Sequence, residues 1–314
     1  MKSMANKKFH KKADRPFRLS LLQAYDQDLE RLARRVGKDR AASSYTRQQQ
    51  SRQCVAHFLA DYLHRPDIPL CELTGQFIRD YAFYLSTDRN MRPGTVWLLT
   101  QMLKSVVTRV CQRHLLPTNP FADFHVSKNI RNREYLTEQE LGCLMACQPQ
   151  QASLCFARDL FVFSALTGMS FVDIRNLRAA DITLVNGEHW IQAHRQKTHT
   201  PFMVRLSPDA LDIISRYRNK GDTIFGPVNY RTLAAQMARL MQACGITKHI
   251  TFHCARHTFA VTALNAGMPI ESVSRILGHT NIATTQIYAK ITMQKLSRDM
   301  ELFDRHLART HDNK

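Results

Sequence analysis

Apolar side chains recur every three or four residues between Pro16 and about Pro120, which is the spacing of amphipathic α-helices. Four stretches carry this pattern, and their apolar positions are Leu19, Leu22, Leu29 and Leu32; Val55, Phe58, Leu59 and Tyr62; Phe77, Tyr81, Tyr84 and Leu85; and Val96, Leu99, Leu103, Val106, Val107 and Val110. Four helices of this length predict a compact all-α domain. This half of the chain alone leaves a generic helical bundle open.

The pattern changes after about residue 135, where a new domain that combines helices with one β-hairpin is expected. Thr137 followed by Glu140 is a capping box, which marks the start of a helix. A helix is predicted from Leu154 to Leu166, a β-hairpin from His189 to Leu206, and further helices from there to the C-terminus. The expected fold is mainly α with a small β-sheet, in which a helical domain precedes an α/β domain.

The charge balance indicates the kind of partner. The chain has 314 residues, and 44 Lys and Arg against 26 Asp and Glu give a formal net charge of +18. Such an excess predicts a polyanionic partner, because cations that neutralise phosphates release condensed counterions. A membrane is the rival polyanion, but no apolar run reaches the roughly 18 residues that span a bilayer, and no secretory signal follows the basic N-terminus. We therefore expect a cytoplasmic, nucleoid-associated protein that binds DNA.

Two basic segments outline the domains. Residues 1–15 hold six Lys and Arg and one acid, and they are expected to form a solvated tail that could track a DNA backbone. Residues 125–134 are poor in apolar side chains and carry Lys128, Arg131 and Arg133, which predicts a linker lying on DNA. The predicted limits are then 16–124 for the helical domain and 135–314 for the second domain.

The eight cysteines predict reduced thiols. None of them forms a C-x-x-C pair, and Cys143 and Cys147 lie one helical turn apart, where they are expected to share a buried face. His253 and His257 lie in H-C-A-R-H, which lacks the glutamate of the zinc motif H-E-x-x-H. We therefore expect no metal, and we interpret His257 as structural.

The chemistry-bearing residues follow one another in the last sixth of the chain. They stand in the sequences H-C-A-R-H (253–257), L-G-H (277–279) and T-T-Q-I-Y (284–288). Arg256 can place two N–H donors on phosphate oxygens, and His253 and His279 can add donors or shuttle protons. Tyr288 can attack phosphorus covalently. The alternatives are a surface arginine for Arg256 and a packed aromatic for Tyr288.

Together with A-L-T-G-M-S-F-V-D-I-R-N-L (165–177) and R-Q-K-T (195–198), these motifs resemble the tyrosine recombinase (phage integrase) family. The resemblance covers the second domain, and the first domain matches the family's helical core-binding domain in size and place. It implies that Tyr288 forms a 3′-phosphotyrosyl intermediate and frees a 5′-hydroxyl, while Arg256, His253 and His279 hold the phosphate. It further implies that Lys197 is the general acid, although an exposed turn lysine is the alternative. No cofactor is expected.

The resemblance departs from the family at one catalytic position. The family has an arginine after T-G-x, whereas this chain has Ser170, which we expect to act as an N-cap that forms a capping box with Asp173. Serine cannot replace a guanidinium. If the hairpin is regular, Arg195 shares a strand face with Lys197, and we hypothesise that it binds the phosphate instead. The pattern T-G-x-S-x-x-D-I also resembles a subgroup of recombinases from Bacteroidetes mobile elements and DNA invertases.

The predicted function is site-specific recombination of double-stranded DNA that carries inverted-repeat core sites. The family resemblance implies a homotetramer on two DNA sites, linked by the final helix, whose apolar stripe is Leu296, Met300, Phe303 and Leu307. The alternative is that this helix packs on its own domain. Two rival functions stay open: a non-catalytic DNA-binding relative that lost the first arginine, and a type IB topoisomerase-like enzyme.

Overall fold

The computed structural model describes residues 19–127, 134–196, 198–217, 221–288, 296–297 and 299–305. The chain divides into two compact units, Met1–Arg131 and Asn132–Lys314. The predicted tail at residues 1–15, most of the predicted linker, Lys197 and Leu307 lie outside the described residues.

The first unit is helical, as predicted. Its helices are α1 (Leu21–Ala33), α2 (Ala42–His57), α3 (Gly75–Ser86) and α4 (Pro93–Gln112), and α2 continues into a π-helical turn over Phe58–Tyr62. Ser20 and Gln23 form a capping box at α1, and Thr74 caps α3. The aromatic rings of Phe58, Tyr81 and Phe77 pack against one another in the core.

The buried face of α1 differs from the predicted one. Leu21 and Tyr25 are fully buried, whereas Leu22 and Leu32 are only half-buried. The Tyr25 hydroxyl lies 3.1 Å from the Ser51 hydroxyl. Tyr25, whose hydroxyl has this polar partner, is therefore buried on the face of α1 where the apolar pattern predicted Leu22.

The second unit combines helices with a three-stranded antiparallel sheet in the order β1-β2-β3. The strands are β1 (Ile182–Val185), β2 (Glu188–His194) and β3 (Pro201–Arg205), and β2 with β3 forms the predicted hairpin. Its helices are α5 (Glu138–Ala146), α6 (Ala152–Thr167), α7 (Phe171–Arg175), α8 (Pro208–Tyr217), α9 (Tyr230–Ala243), α10 (Phe252–Asn265), α11 (Ile270–Leu277) and α12 (Ala283–Gln286). The predicted fold class, mainly α with a small sheet, is confirmed.

Helix α6 forms the centre of the second unit and packs against α8, α9 and α10. Most of its length is buried, including the polar residues Asp159, Ser164 and Thr167. It ends at Gly168, whose φ of +68° is left-handed, and a Cβ there would lie 2.7 Å from the Phe259 ring. The end of α6 therefore abuts α10, the helix that carries H-C-A-R-H.

The structure also bears on the expectations for the cysteines and for membrane-spanning segments. All eight cysteines are free thiols, but Cys143 is exposed and Cys147 only half-buried, so the expectation of a shared buried face is wrong. Within the described residues, no helix has both the length and the apolar character needed to cross a bilayer.

Candidate active site

Helix α10 presents His253, Arg256 and His257 at positions i, i+3 and i+4, which share one face of a helix. The Arg256 side chain is buried, with 7% of the residue exposed, and its guanidinium donates to the carbonyls of Gly168 (2.8 Å) and Leu277 (2.5 Å). These carbonyls belong to the C-terminal ends of α6 and α11, where cations are favoured. Arg256 is therefore a buried cation held between two helix ends, and the surface alternative is wrong.

His279 is held on both ring nitrogens. Its Nε2 lies 2.9 Å from a guanidinium nitrogen of Arg256, and its Nδ1 lies 2.8 Å from the Thr285 hydroxyl. Burial, followed by the positive charge of Arg256, lowers the pKa of His279 from 6.5 to about 4. The ring is therefore neutral near pH 7. Because a guanidinium only donates, Nε2 accepts and the proton sits on Nδ1, which donates to Thr285.

Tyr288 lies one turn beyond Thr285, and its backbone N–H donates to the Thr285 carbonyl at 3.0 Å. Its ring is half-buried against an apolar cluster that includes Phe259 and Leu277. The ring is 6.5 Å from that of His279 and nearly parallel to it, at 15°. The nucleophile candidate thus lies beside the histidine that Arg256 contacts.

Arg256 remains cationic at neutral pH. Burial and the charge of Arg195 lower its pKa to about 10, while Tyr288 and Asp173 act in the opposite direction. The electrostatic interaction between Arg256 and Tyr288 favours the phenolate, because that is the form of a phenol that a cation stabilises.

His257 has a neighbour that the sequence did not reveal. It is 2% exposed, and its ring centroid lies 4.4 Å from that of His253 and 5.0 Å from that of Tyr288. It therefore packs between two predicted site residues. The order of the motifs does not indicate a contact between residues 31 positions apart.

Arg195 reaches the site by a route that differs from the prediction. Strand β2 ends at His194, so Arg195 lies beyond the strand. Lys197, with which it was expected to share a strand face, lies outside the described residues. The guanidinium of Arg195 donates to Asp173 Oδ2 (2.6 Å) and to the Ile276 carbonyl (2.8 Å), and it lies 4.0 Å above the Phe202 ring. With 5% of the residue exposed, it is a second buried cation.

The positive charge of Arg195 lowers the pKa values of Arg256 and His279. The Arg195 side chain passes close to the backbone at position 278, which requires glycine there, because a Cβ at that position would lie 2.6 Å from Arg195 Nε. Burial lowers the pKa of Arg195 itself, and its ion pair with Asp173 opposes that shift.

Ser170 lies at the N-cap of α7, but the predicted capping box is absent. Its hydroxyl donates instead to Asp173 Oδ2 at 2.6 Å, the same oxygen that accepts from Arg195. Although burial opposes it, hydrogen bonds from Ser170, the Gln196 backbone and Arg195 hold the pKa of Asp173 below its ordinary value. One carboxylate therefore connects Ser170 to Arg195.

A cavity of about 410 Å³ opens beside these residues. Ser170, His253 and Arg256 line one part of it, and the rest is mostly apolar, formed by Ser164, Met169, Phe171, Val172, Tyr230 and Phe252. Two other arginines that follow Ser170, Arg175 and Arg178, are exposed. The arrangement combines a buried cation, imidazole donors or acceptors and a phenol, which are the groups needed to bind a phosphodiester and attack it.

Known protein families match both units of the chain. The profile of the phage integrase family matches residues 134–295, and that of the phage integrase SAM-like domain matches residues 20–128. The tyrosine recombinase XerC of Lactobacillus leichmannii is 25% identical over 237 residues, which cover 70% of this chain and 80% of that protein. XerC of Listeria monocytogenes serotype 4b (strain F2365) is 25% identical over 238 residues, covering 69% and 78%.

Solved structures share the fold at lower identity. The Tn1549 transposon integrase in complex with a circular intermediate DNA superposes with a TM-score of 0.73 at 18% identity, covering 90% of this chain and 99% of that one. A lambda integrase dimer bound to a COC′ core site gives 0.68 at 19% identity, covering 88% and 100%. The family predicted from the motifs is confirmed: the chain belongs to the phage integrase family of tyrosine recombinases, enzymes that cleave and rejoin DNA.

Proposed function

We propose that this recombinase cuts its DNA through Tyr288. The Tyr288 oxygen loses its proton and bonds to phosphorus, the bond from phosphorus to the 5′-oxygen breaks, and the leaving oxygen takes up a proton to become a 5′-hydroxyl. The observation that carries the proposal is the proximity of the Tyr288 and His279 rings, together with the contact of His279 with buried Arg256. The bond energy stays in the 3′-phosphotyrosyl linkage, so religation needs no nucleotide.

Arg256 and His253 are the proposed phosphate-holding residues, and His279 is the proposed proton shuttle beside them. Arg256 supplies a preorganised cation, because its carbonyl partners already fix the guanidinium. Its place in the wall of the cavity next to His253 supports contact of both residues with a bound phosphate. His279 is neutral and its Nε2 is an acceptor, which supports a proton-shuttling part for this residue.

Arg195 is the proposed second cation, in place of the arginine that the family resemblance predicts at Ser170. Its support is the shared Asp173 carboxylate and its electrostatic coupling to Arg256 and His279. Lys197, two residues later, is the proposed general acid that protonates the leaving 5′-oxygen. We retain His257 as a structural residue that packs between His253 and Tyr288.

The proposed substrate is double-stranded DNA with inverted-repeat core sites, exchanged by a homotetramer on two sites within the nucleoid. Residues 16–124 would bind the DNA as the core-binding domain, and residues 135–314 would cleave it. Residues 125–134 would connect the two domains and lie along the DNA. Leu296, Met300 and Phe303 are each about half exposed, which supports docking of the C-terminal stripe on a neighbouring protomer. The T-G-x-S-x-x-D-I pattern supports integration or inversion for a mobile element of the Bacteroidetes type.

A plasmid assay tests the function. The protein is incubated with supercoiled plasmids that carry one or two copies of the inverted repeats found beside its gene. A recombinase inverts or excises the segment between two sites. Relaxation of the one-site plasmid without exchange of two sites would indicate the topoisomerase-like rival, and site-specific binding without any cleavage would indicate the non-catalytic relative.

A further inference from the structure

We propose that Thr285 is a positioning residue of the cleavage site: its hydroxyl fixes the tautomer and orientation of His279 and ties them to the turn that carries Tyr288. The proposal rests on the proposed function of Tyr288 and His279. Thr285 belongs to the T-T-Q-I-Y motif, in which Tyr288 is the proposed nucleophile.

The two threonines of this motif differ completely in environment. Thr285 has no exposed surface, whereas its neighbour Thr284 is exposed on the same short helix, α12. A buried hydroxyl needs a hydrogen-bond partner, and Thr285 Oγ1 has one in His279 Nδ1 at 2.8 Å. The residue type therefore matters at position 285 for its hydroxyl as well as for its packing.

The hydroxyl selects one form of the imidazole ring. If Nε2 carried the proton, two donors would face each other across the 2.9 Å contact with Arg256. The proton therefore belongs on Nδ1, where it requires an acceptor, and Thr285 Oγ1 is that acceptor. Without it, the ring loses the bond that holds its Nε2 lone pair on the Arg256 side.

Thr285 also holds the nucleophile turn through its backbone. Its carbonyl accepts the Tyr288 N–H at 3.0 Å, and its own N–H donates to the Ile282 carbonyl at 2.7 Å. One residue thus bonds to His279 by its side chain and to Tyr288 by its main chain. A movement of α12 that withdraws Tyr288 would also remove the acceptor of His279, so the two groups are positioned together.

Three variants test this role. Thr285→Val keeps the branched shape and removes the hydroxyl, Thr285→Ser keeps the hydroxyl, and Thr284→Val makes the first change at the exposed neighbour. The rate of a single round of cleavage is measured on a nicked duplex that carries the core site, and duplex affinity is measured separately. Loss of a residue that orients a functional histidine lowers activity by about 10- to 100-fold in metalloenzymes, and we expect a similar loss for Thr285→Val.

We expect Thr285→Val to bind the duplex like the wild type, and Thr285→Ser and Thr284→Val to cleave close to the wild-type rate. Thr285→Val cleaving as fast as Thr284→Val would overturn the proposal. A Thr285→Ser protein as slow as Thr285→Val would also overturn it, because the methyl group and not the hydroxyl would then be responsible.

A spectroscopic readout separates this proposal from the proposed function. With ¹⁵N-labelled histidine, and the His279→Gln protein to assign the signal, the wild type should show His279 with a protonated Nδ1 and a bare Nε2. Thr285→Val should shift the signal toward a mixture of tautomers. Nε2 protonation in the wild type would overturn the role of Thr285 even if cleavage occurs. Absence of wild-type cleavage with the expected tautomer would instead refute the function and leave the role of Thr285 in orienting His279 supported.

Discussion

At the scale of single residues, Arg195 and Ser170 meet on one carboxylate, Asp173. If Arg195 supplies the second cation, Arg195→Ala should slow cleavage by about 10²- to 10³-fold, the usual loss for one donor to a transition-state oxyanion. Arg205→Ala is the matched control, since Arg205 is an exposed arginine on β3 of the same hairpin, paired with Glu188. Both variants are measured in single-turnover cleavage of a nicked duplex.

A second substitution, Ser170→Arg, distinguishes a charge supplied by Arg195 from a purely structural role of that residue. Ser170 lines the cavity that also contains Arg256 and His253, so an arginine at position 170 has room to reach the same phosphate. Ser170→Arg should therefore restore part of the cleavage rate to the Arg195→Ala protein. An equally slow double variant would show that Arg195 holds the local structure and does not supply a replaceable charge.

His279 links the site to pH-dependent stability. Its folded pKa of about 4 lies below its ordinary value of 6.5, so between these pH values the unfolded chain binds a proton that the folded protein does not. The His279 contribution to the free energy of unfolding is therefore fully present above about pH 6.5 and is lost as the pH falls toward 4. Urea unfolding at about pH 7 and about pH 5 should show a smaller loss for His279→Gln than for the wild type. Equal losses would contradict the assignment of a neutral, half-buried His279.

At the scale of elements, the left-handed turn after α11 determines whether Arg195 fits. Gly278 has a φ of +59°, and a Cβ there would lie 2.6 Å from Arg195 Nε. Gly245 has a similar φ of +67° after α9, but a Cβ there meets nothing within 4 Å. Both alanine variants carry the backbone cost of about 1–2 kcal/mol for a left-handed residue. Only Gly278→Ala should also displace Arg195 and lower cleavage, as measured by thermal unfolding and single-turnover rates; equal effects of both would refute the steric link.

Some local features of the helices and strands can be predicted from the sequence, and others depend on distant residues. The Thr137–Glu140 capping box forms as predicted, and Lys248 Nζ, from 108 positions away, donates to the same Glu140 oxygen without breaking the box. At Ser170 the box is absent: the serine hydroxyl donates to the Asp173 carboxylate, which Arg195 contacts from 22 positions away. Strand β1 lies outside the predicted hairpin, although Asn186-Gly187, both with positive φ, form the two-residue turn that joins it to β2 and are a recognisable hairpin signal.

In the candidate site too, the residues in local motifs can be predicted from the sequence, whereas contacts between distant residues cannot. The order of His253, Arg256, His279 and Tyr288 could be found because their motifs lie close together in the sequence, and the structure brings all four together. The burial of Arg195 and the contact of His279 with Thr285 depend on which side chains pack across turns. A residue pattern does not encode those packing distances.

The net charge of +18 on the full chain predicts DNA binding that weakens steeply with salt. Within the first unit, a groove of about 630 Å³ is lined by several exposed cations, including Arg31, Arg40 and Arg47. If Arg47 contacts a phosphate, Arg47→Ala should reduce the slope of log affinity against log salt by about one, as measured by fluorescence anisotropy. An unchanged slope would place the DNA on another surface of this unit.

Trapping of the covalent intermediate shows whether the chain cuts DNA through Tyr288. The protein is incubated with a duplex that carries its core site and a nick next to the cleavage position, so that the short fragment diffuses away and religation is prevented. We predict a protein–DNA adduct that survives denaturation, is mapped by mass spectrometry to a phosphotyrosine at residue 288, and is absent from Tyr288→Phe. Tight binding without an adduct, or an adduct on another residue, would contradict cleavage through Tyr288.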